Sequence, residues 1–348
     1  MGASGRILGR NGAAGAAGAV RMEVGAGLVW PRPLFAIFRC LAPLPVIIRP
    51  RPHWFLLLFA RRGTLVHRIY SQQLFLFVLS CLVVRAHGDI FFWKVPLTAT
   101  PFSLMGICFA IFMGFRINAS YDRFWEARKH WGSVLVETRN LARLALSGVG
   151  DAQPVRPFVL GLAGFAASMR NQLRNLPADH ALQQRLPPEL LARLGAVRSA
   201  PTQILLWLSQ WLQQARQRHS LEPTLVQTME QGLNNLSFAI GSCERIANTP
   251  IPFAYSVVLH RSVYVFCIML PFGLVDSVGI MTPLVVTFIS YTFLALEALS
   301  DEIEQPFGLE NNDLALNAMV EAIDANLCEM LGDTVPPAPG PGANFVLT

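Results

Sequence analysis

The chain has 348 residues, of which 53% are hydrophobic and 14% are charged, and its mean hydropathy is +0.41. Soluble domains carry roughly 25% charged residues, so this composition excludes an ordinary soluble protein and indicates a membrane protein with sizeable polar regions. The six cysteines form no Cys-x-x-Cys pair, and neither a Gly-x-Ser-x-Gly motif nor a phosphate-binding glycine loop is present. We therefore expect no catalytic residue, no metal, no cofactor and no nucleic-acid partner.

The first part of the chain is basic and of low complexity. Residues 1–46 are rich in glycine and alanine and lack a compact apolar core followed by a cleavage site, so they predict an extension rather than a signal peptide. Residues 53–70 then mix apolar side chains with Arg61, Arg62 and Arg68, and Trp54 precedes them. This pattern is typical of a helix that lies in the membrane interface.

Four apolar segments approach the length of about 20 residues that a helix needs to cross a bilayer. They are residues 72–84, with a backward extension through 66–70, and residues 102–115, 251–275 and 281–298. The second passes into charged sequence without Gly or Pro between residues 115 and 131, so one long helix is expected to carry both parts. Pro271 lies near the end of the third segment, where it favours a broken helix.

Lysine and arginine predict the orientation, because cytoplasmic loops carry an excess of both. Ten arginines precede the first span and fifteen basic residues lie in 116–250, whereas residues 276–280 contain none. Both termini and the 116–250 region are therefore expected in the cytoplasm. The predicted organisation is an extension (1–46), an interfacial helix with two spans (47–125), a cytoplasmic helical domain (126–250), two further spans (251–300) and an acidic cytoplasmic segment (301–348).

The two ends of the chain have opposite charge. Residues 1–71 contain ten arginines and one acid, whereas residues 301–348 contain nine acids and no basic residue. Either the two segments are solvated independently, or they lie on the same membrane face and pack together. Glu297, near the end of the last span, is a functional candidate at membrane depth or else pairs with an arginine at the interface.

The second span carries the candidate pore residues. Ile107, Ile111 and Phe115 recur every four residues, so they share one helix face beside a face of small residues, Gly106, Ala110 and Gly114. On periodicity alone, the three larger residues are as well explained by contact with lipid, because every face of a membrane helix can be apolar.

Four motifs resemble the bestrophin family in its bacterial branch, and they occur in the family's order over residues 46–335. They are Ile48-Arg-Pro-Arg-Pro-His-Trp, Phe115-Arg-x-Asn-x-Ser-Tyr-Asp-Arg-x-Trp-Glu-Ala-Arg, Thr249-Pro-Ile-Pro-Phe-Ala-Tyr and Asp301-Glu-Ile-Glu-Gln-Pro-Phe-Gly. The resemblance implies an all-α membrane protein with four spans per subunit, continuous with a cytoplasmic helical domain, that assembles as a homopentameric channel in the lipid bilayer. Its partners would be small inorganic ions and other copies of itself.

The resemblance also assigns site residues. Ile107, Ile111 and Phe115 would form a hydrophobic pore neck, and Thr224 is the candidate for the cytoplasmic aperture, with Leu225 and Val226 as alternatives. The family motif itself contributes Arg116, Asn118, Tyr121, Asp122, Arg123, Trp125 and Glu126. The mixed charges of this motif favour ion pairs between helices and between subunits rather than ion selection.

Three questions stay open at the level of sequence. Some animal bestrophins bind calcium with an acidic run after Pro-Phe-Gly, but residues 309–313 retain only Glu310 and Asp313, so we expect no high-affinity calcium site. A secondary transporter is a rival function, although four unequal spans show no internal repeat; a membrane enzyme is another. The apolar neck gives no sign for the conducted ion, which is either chloride or another anion, or a monovalent cation.

Overall fold

The computed structural model describes residues 55, 65–86, 89–90, 93–94, 99–150, 154–178, 180–195, 197–310 and 312–335. The expected extension (1–46), the basic residues Arg49, Arg51, Arg61 and Arg62, and the last thirteen residues lie outside this part of the chain. The helix bounds and side-chain contacts given below are those of the described residues.

The described chain is helical apart from one short hairpin, as the sequence predicts. The hairpin pairs β1 (Asp89–Ile90) with β2 (Trp93–Lys94), with Asp89 opposite Lys94. The helices whose bounds are described are α1 (Val66–Arg85), α2 (Ala99–Gly148), α3 (Arg156–Leu173), α4 (His180–Arg185), α5 (Pro188–Leu194), α6 (Ala200–Gln217), α7 (Pro223–Asn248), α8 (Phe253–Val278), α9 (Thr282–Glu304) and α10 (Leu316–Met330).

Helix α2 is the longest element, with 50 residues. At 1.5 Å per residue it extends about 75 Å, more than twice the thickness of a bilayer's hydrocarbon core. The expectation that one helix carries both the apolar segment and the charged motif after Phe115 is therefore confirmed. Proline occurs in α2 only in its first turn, at Pro101, so nothing after that turn interrupts the backbone hydrogen bonds where the helix passes from one environment into the other.

The expected break at Pro271 is wrong. Helix α8 continues through Pro271 to Val278, and the chain turns only at Gly279, whose φ of +59° is accessible mainly to glycine. Proline removes one backbone hydrogen bond, which a helix packed among neighbours can tolerate. A short 3₁₀ turn, Gly279–Met281, then leads into α9.

Side-chain contacts give the directions of the apolar helices. Helices α8 and α9 run antiparallel, because His260 meets Glu297 and Phe266 meets Phe293. Helices α2 and α9 run parallel, because Phe109 meets Phe293 at one level and Ser120 meets Ser300 further along. Helix α1 runs against α9: Arg68 lies near Asp301, and Gln73 lies near Ser290.

These directions bring one end of each apolar helix to a common level, here named the junction layer. It contains Arg68 of α1, Arg116 and Arg123 of α2, Thr249 after α7, and Asp301 and Glu304 of α9. Among the described residues, three helical stretches are long and apolar enough to cross a membrane: Val66–Arg85, Thr100–Gly148, and Phe253–Glu304, which comprises α8 and α9.

Two hydrophobic cores lie on opposite sides of the junction layer. The first joins α1, the beginning of α2, α8 and α9, and its aromatic centre is Phe109, Phe266 and Phe293. The second, larger core joins the later part of α2 with α3, α6, α7 and α10 around Trp131, Phe158 and Phe165. The second core thus includes helices of the 126–250 region together with α10.

Within one subunit, α2 does not pack through its face of small residues. Helix α2 packs on α8 and α9 through the buried Phe109 and Met113. A Cβ placed at Gly114 would meet no atom within 4 Å, and one at Gly106 would make ordinary contact with Phe266.

Candidate functional site

The three candidate neck residues lie on an open face of α2. Ile107, Ile111 and Phe115 are 60%, 53% and 62% exposed, whereas Phe109 and Met113 on the opposite side are buried. The helical repeat of about 100° per residue places the three within a sector of about 80°. The face is therefore available for lipid or for a channel axis, and no side chain in the described part of the subunit covers it.

Arg116 begins the charged motif and enters the protein rather than the open face. Its side chain is 3% exposed, it donates a hydrogen bond to Asp301 Oδ1, and it lies 3.7 Å from Glu304 Oε2. A buried guanidinium requires such compensation, because removing a charge from water costs several kcal/mol. Arg116 thus ties α2 to the end of α9 immediately after the last neck residue.

Arg123 joins three elements through backbone oxygens. Its guanidinium donates to the carbonyls of Thr249 and Ile246 at the end of α7, and its Nε donates to the carbonyl of Glu304 at the end of α9. The last carbonyls of a helix lack partners within that helix and carry the negative end of its dipole, so a cation there is doubly favoured. The motif arginine therefore fastens the helical domain to the apolar helices.

The remaining motif residues divide between paired and open positions. Glu126 accepts a hydrogen bond from Arg245 of α7 at 2.6 Å and lies 3.6 Å from His130 Nε2. Trp125 lies under the guanidinium of Arg128 at 5.7 Å, and Tyr121 is 53% exposed. Asn118 and Asp122 are exposed and make no hydrogen bond or ion pair with the residues that the structure describes. Within one subunit, Glu126 thus pairs with a charge on another helix, Arg123 binds backbone carbonyls, and Asp122 has no partner among the described residues.

Helix α7 carries the aperture candidates at its beginning. It runs antiparallel to the later part of α2, since Asn235 donates to Glu137 and Leu225 reaches Gly148. Thr224 is exposed, Leu225 is half-buried and Val226 is 5% exposed within the larger core. Of the three alternatives, Val226 is therefore unsuited to face an aqueous path, and Thr224 is the most open.

Glu297 has a partner that differs from the expected arginine. It is 4% exposed, and its Oε1 lies 2.6 Å from Nδ1 of His260 on α8. The ring centroids of His260 and Tyr264 are 4.4 Å apart, with the two rings tilted by 43°. A histidine one helix away satisfies the acid, so the pair holds α8 against α9. The spacing of 37 residues between the two gives no signal in sequence.

The loop after α9 contains the two carboxylates that were compared with a calcium-binding run. Asp313 is 3% exposed; its Oδ2 accepts the backbone N–H of Glu310 at 2.7 Å, and its Oδ1 has no partner among the described residues. Burial, and to a lesser degree Glu302 and Glu310, raises the pKa of Asp313 to about 6. Among the described residues, no group of three or more His, Cys, Asp or Glu is placed to hold a metal ion.

These elements define a class: a helical membrane protein in which one long helix continues from an apolar bundle into a helical domain. The family model described as bacterial/fungal bestrophin protein matches residues 46–329. The voltage-dependent anion channel-forming protein RSc3414 of Ralstonia nicotianae is 43% identical over 291 residues, which cover 83% of this chain and 95% of that protein. YneE of Escherichia coli K12, described in the same words, is 41% identical over 84% of this chain and 96% of its own length.

A solved structure agrees with these relatives. The bacterial bestrophin homologue from Klebsiella pneumoniae superimposes with a TM-score of 0.73 at 40% sequence identity and covers 77% of this chain and 100% of that one. The chain therefore belongs to the bacterial and fungal bestrophin family, and its function is that of an ion channel.

Proposed function

We propose that this protein is a passive channel for small ions, formed by five copies of the chain around a central axis. The open face of α2 with Ile107, Ile111 and Phe115 carries this proposal. Five copies of each residue would form three apolar rings one helical turn apart, and apolar constrictions can gate by losing their water. Exposed apolar residues aligned on one face of the longest helix suit such a constriction.

The four-span arrangement in a bacterial inner membrane, with both termini in the cytoplasm, is part of the same proposal. It is supported by α1, α2, α8 and α9 alternating in direction and by the arginines at one level, where lysine and arginine favour the cytoplasmic side. Residues 126–250 then form a cytoplasmic vestibule, with Thr224 near its exit. The proposal assigns the other segments as an extension (1–46), an interfacial helix with two spans (47–125), two further spans (251–300) and an acidic cytoplasmic segment (301–348).

The conducted ion and the absence of catalysis also belong to the proposal. The relatives' names describe anion channels, but an apolar neck does not select charge by itself, so the conducted ion is either an anion or a monovalent cation. A secondary transporter would be expected to show paired repeats with interrupted helices. The continuous α2 and α8 favour a channel, and no catalytic role is assigned to any residue.

Single-channel currents of the purified protein in planar bilayers test the proposal. Replacing Ile107, Ile111 and Phe115 together by alanine should raise conductance several-fold, because the wider neck retains water. The matched control replaces Met105 and Phe112 by alanine; both are about half exposed, on another face of α2. Unchanged conductance in a correctly assembled triple variant, or an equal rise in the control, would disprove the assignment of the neck.

A further inference from the structure

The open face that holds the proposed neck continues beyond the junction layer. At about 100° per residue, Asn118, Asp122, Trp125 and Lys129 fall in the same 80° sector of α2 as Ile107, Ile111 and Phe115. All four are exposed in the subunit. If the neck residues face a channel axis, these four side chains line the path immediately on its cytoplasmic side.

Asp122 differs from Arg116, Arg123 and Glu126 because it has no partner among the described residues. Arg116 is buried against Asp301, Arg123 binds three backbone carbonyls, and Glu126 binds Arg245. Among the described residues, Asp122 makes no hydrogen bond or ion pair, although it lies in the middle of this network. Its neighbours in sequence thus hold the helices together, while its own charge is left for the aqueous path.

The position of Asp122 suits an influence on ions that leave or approach the neck. It lies seven residues after Phe115, which is about 10 Å along the helix axis and close to one Debye length at physiological salt. Rings of carboxylates favour cations in channels, and low-dielectric walls strengthen such fields. Lys129, seven residues further on, is also exposed and without a partner in the described chain, and it would act in the opposite sense from a greater distance.

We propose that five copies of Asp122 form a carboxylate ring just below the neck, and that this ring raises the permeability of cations relative to anions. The inference rests on the proposed function, because it requires the open face of α2 to line the channel. It assigns charge selection to a position outside the neck, whose residues are apolar. Lys129 forms a second ring that partly offsets the first.

Reversal potentials under a potassium chloride gradient test this inference. In proteoliposome-derived bilayers, Asp122→Asn should lower the potassium-to-chloride permeability ratio by roughly threefold to tenfold, whereas Asp122→Glu should retain the native ratio. Lys129→Gln should raise the ratio by a smaller factor. Glu189→Gln, which neutralises an exposed acid on α5, is the control for net charge and should change nothing.

Salt concentration separates a field effect from a change of structure. The difference between native protein and Asp122→Asn should shrink as symmetric salt is raised from about 0.05 M to about 1 M, because the Debye length falls from roughly 14 Å to about 3 Å. A native ratio in Asp122→Asn, together with raised conductance in the neck variant, would overturn the carboxylate ring while leaving the channel face intact. If neither variant changes conduction, the channel face itself is wrong and the ring fails with it.

Discussion

The two halves of α2 differ in which side chains they bury, although they form one helix. Before Phe115, the buried side chains are Phe109 and Met113, while Leu104 and Ile107 are about 60% exposed. After residue 126 the helix is amphipathic: apolar side chains every three or four residues enter the larger core, and charged or amide groups face outward. The buried positions of that later half are Ala127, Trp131, Val134, Thr138, Leu141, Ala142 and Ala145.

The difference reflects the solvent around each half. In water, an apolar side chain gains roughly 25 cal/mol for each square ångström buried, so the later half must hide one face in the core. In a bilayer an apolar side chain is already solvated, so exposure of Leu104 carries no such penalty and packing depends on close contact. The charged junction layer marks the change between the two regimes, and the following predictions probe it.

The largest expected effect is at Arg116, which sits where the two halves meet. Arg116→Met leaves Asp301 and Glu304 without their buried cation, and such a loss typically destabilises by about 3–5 kcal/mol. The thermal midpoint of the purified protein in detergent should fall accordingly, and the double variant with Asp301→Asn should recover part of the loss. The control is Arg156→Met, which breaks an exposed pair with Asp333 and should leave the midpoint unchanged. Equal midpoints in the two single variants would contradict the buried pair.

A smaller effect distinguishes the halves directly. Leu141→Ala removes a side chain that is 1% exposed and packs against Gly232 of α7, so about 2–4 kcal/mol of stability should be lost. Leu104→Ala removes a side chain that is 63% exposed, and it should cost much less in detergent or lipid. Equal losses would mean that Leu104 is buried in the assembled protein, which would reassign that face of α2 from lipid or channel to a contact between subunits.

The same contrast explains which parts of the structure can be predicted from the sequence. The amphipathic half, with α3, α6 and α7, is predicted from helical spacing, because water imposes a buried face on each helix. The neck face has no such signal, since Ile107 and Phe112 look alike in an all-apolar segment, and only the family resemblance singles out the former. Pairs such as Arg116 with Asp301 join residues 185 apart, and spacing carries no information on them.

Two further features of the fold, helix α10 and the unbroken α8, differ from what the sequence predicts. Helix α10 lies in the acidic segment, where no helix is predicted, although Leu316, Val320, Ile323 and Leu327 recur at helical spacing and are all buried. Attention to that spacing rather than to the negative charge would have found it. Conversely, Pro271 predicts a break that α8 does not show, because neighbouring helices compensate for the lost hydrogen bond.

On the water-exposed side, Asp313 predicts a pH dependence. Its folded pKa of about 6 lies above the ordinary value of 3.8, so the folded protein binds this proton more tightly than the unfolded chain. The contribution of Asp313 to stability is therefore fully present below about pH 4 and is lost as pH rises through about 6. Asp313→Asn keeps an acceptor for the Glu310 N–H and should raise the thermal midpoint most near pH 7.5, by about half as much near pH 5, and very little near pH 3.5. A constant difference across that range would show that the carboxyl is not the titrating group.

The smallest effect is expected for Arg68, the one described member of the basic N-terminal group that approaches the acidic C-terminal segment. Its Nη2 lies 4.0 Å from Asp301 Oδ2, and the two side chains are 51% and 40% exposed. Exposed pairs contribute about 0–1 kcal/mol, so Arg68→Gln should lower the thermal midpoint slightly at low salt and not at all near 1 M salt. The loss in Arg116→Met should persist at both concentrations, because a buried pair is screened much less. A large, salt-resistant loss in Arg68→Gln would instead mean that the basic and acidic segments are enclosed together when subunits assemble, since within one subunit water still reaches both charges.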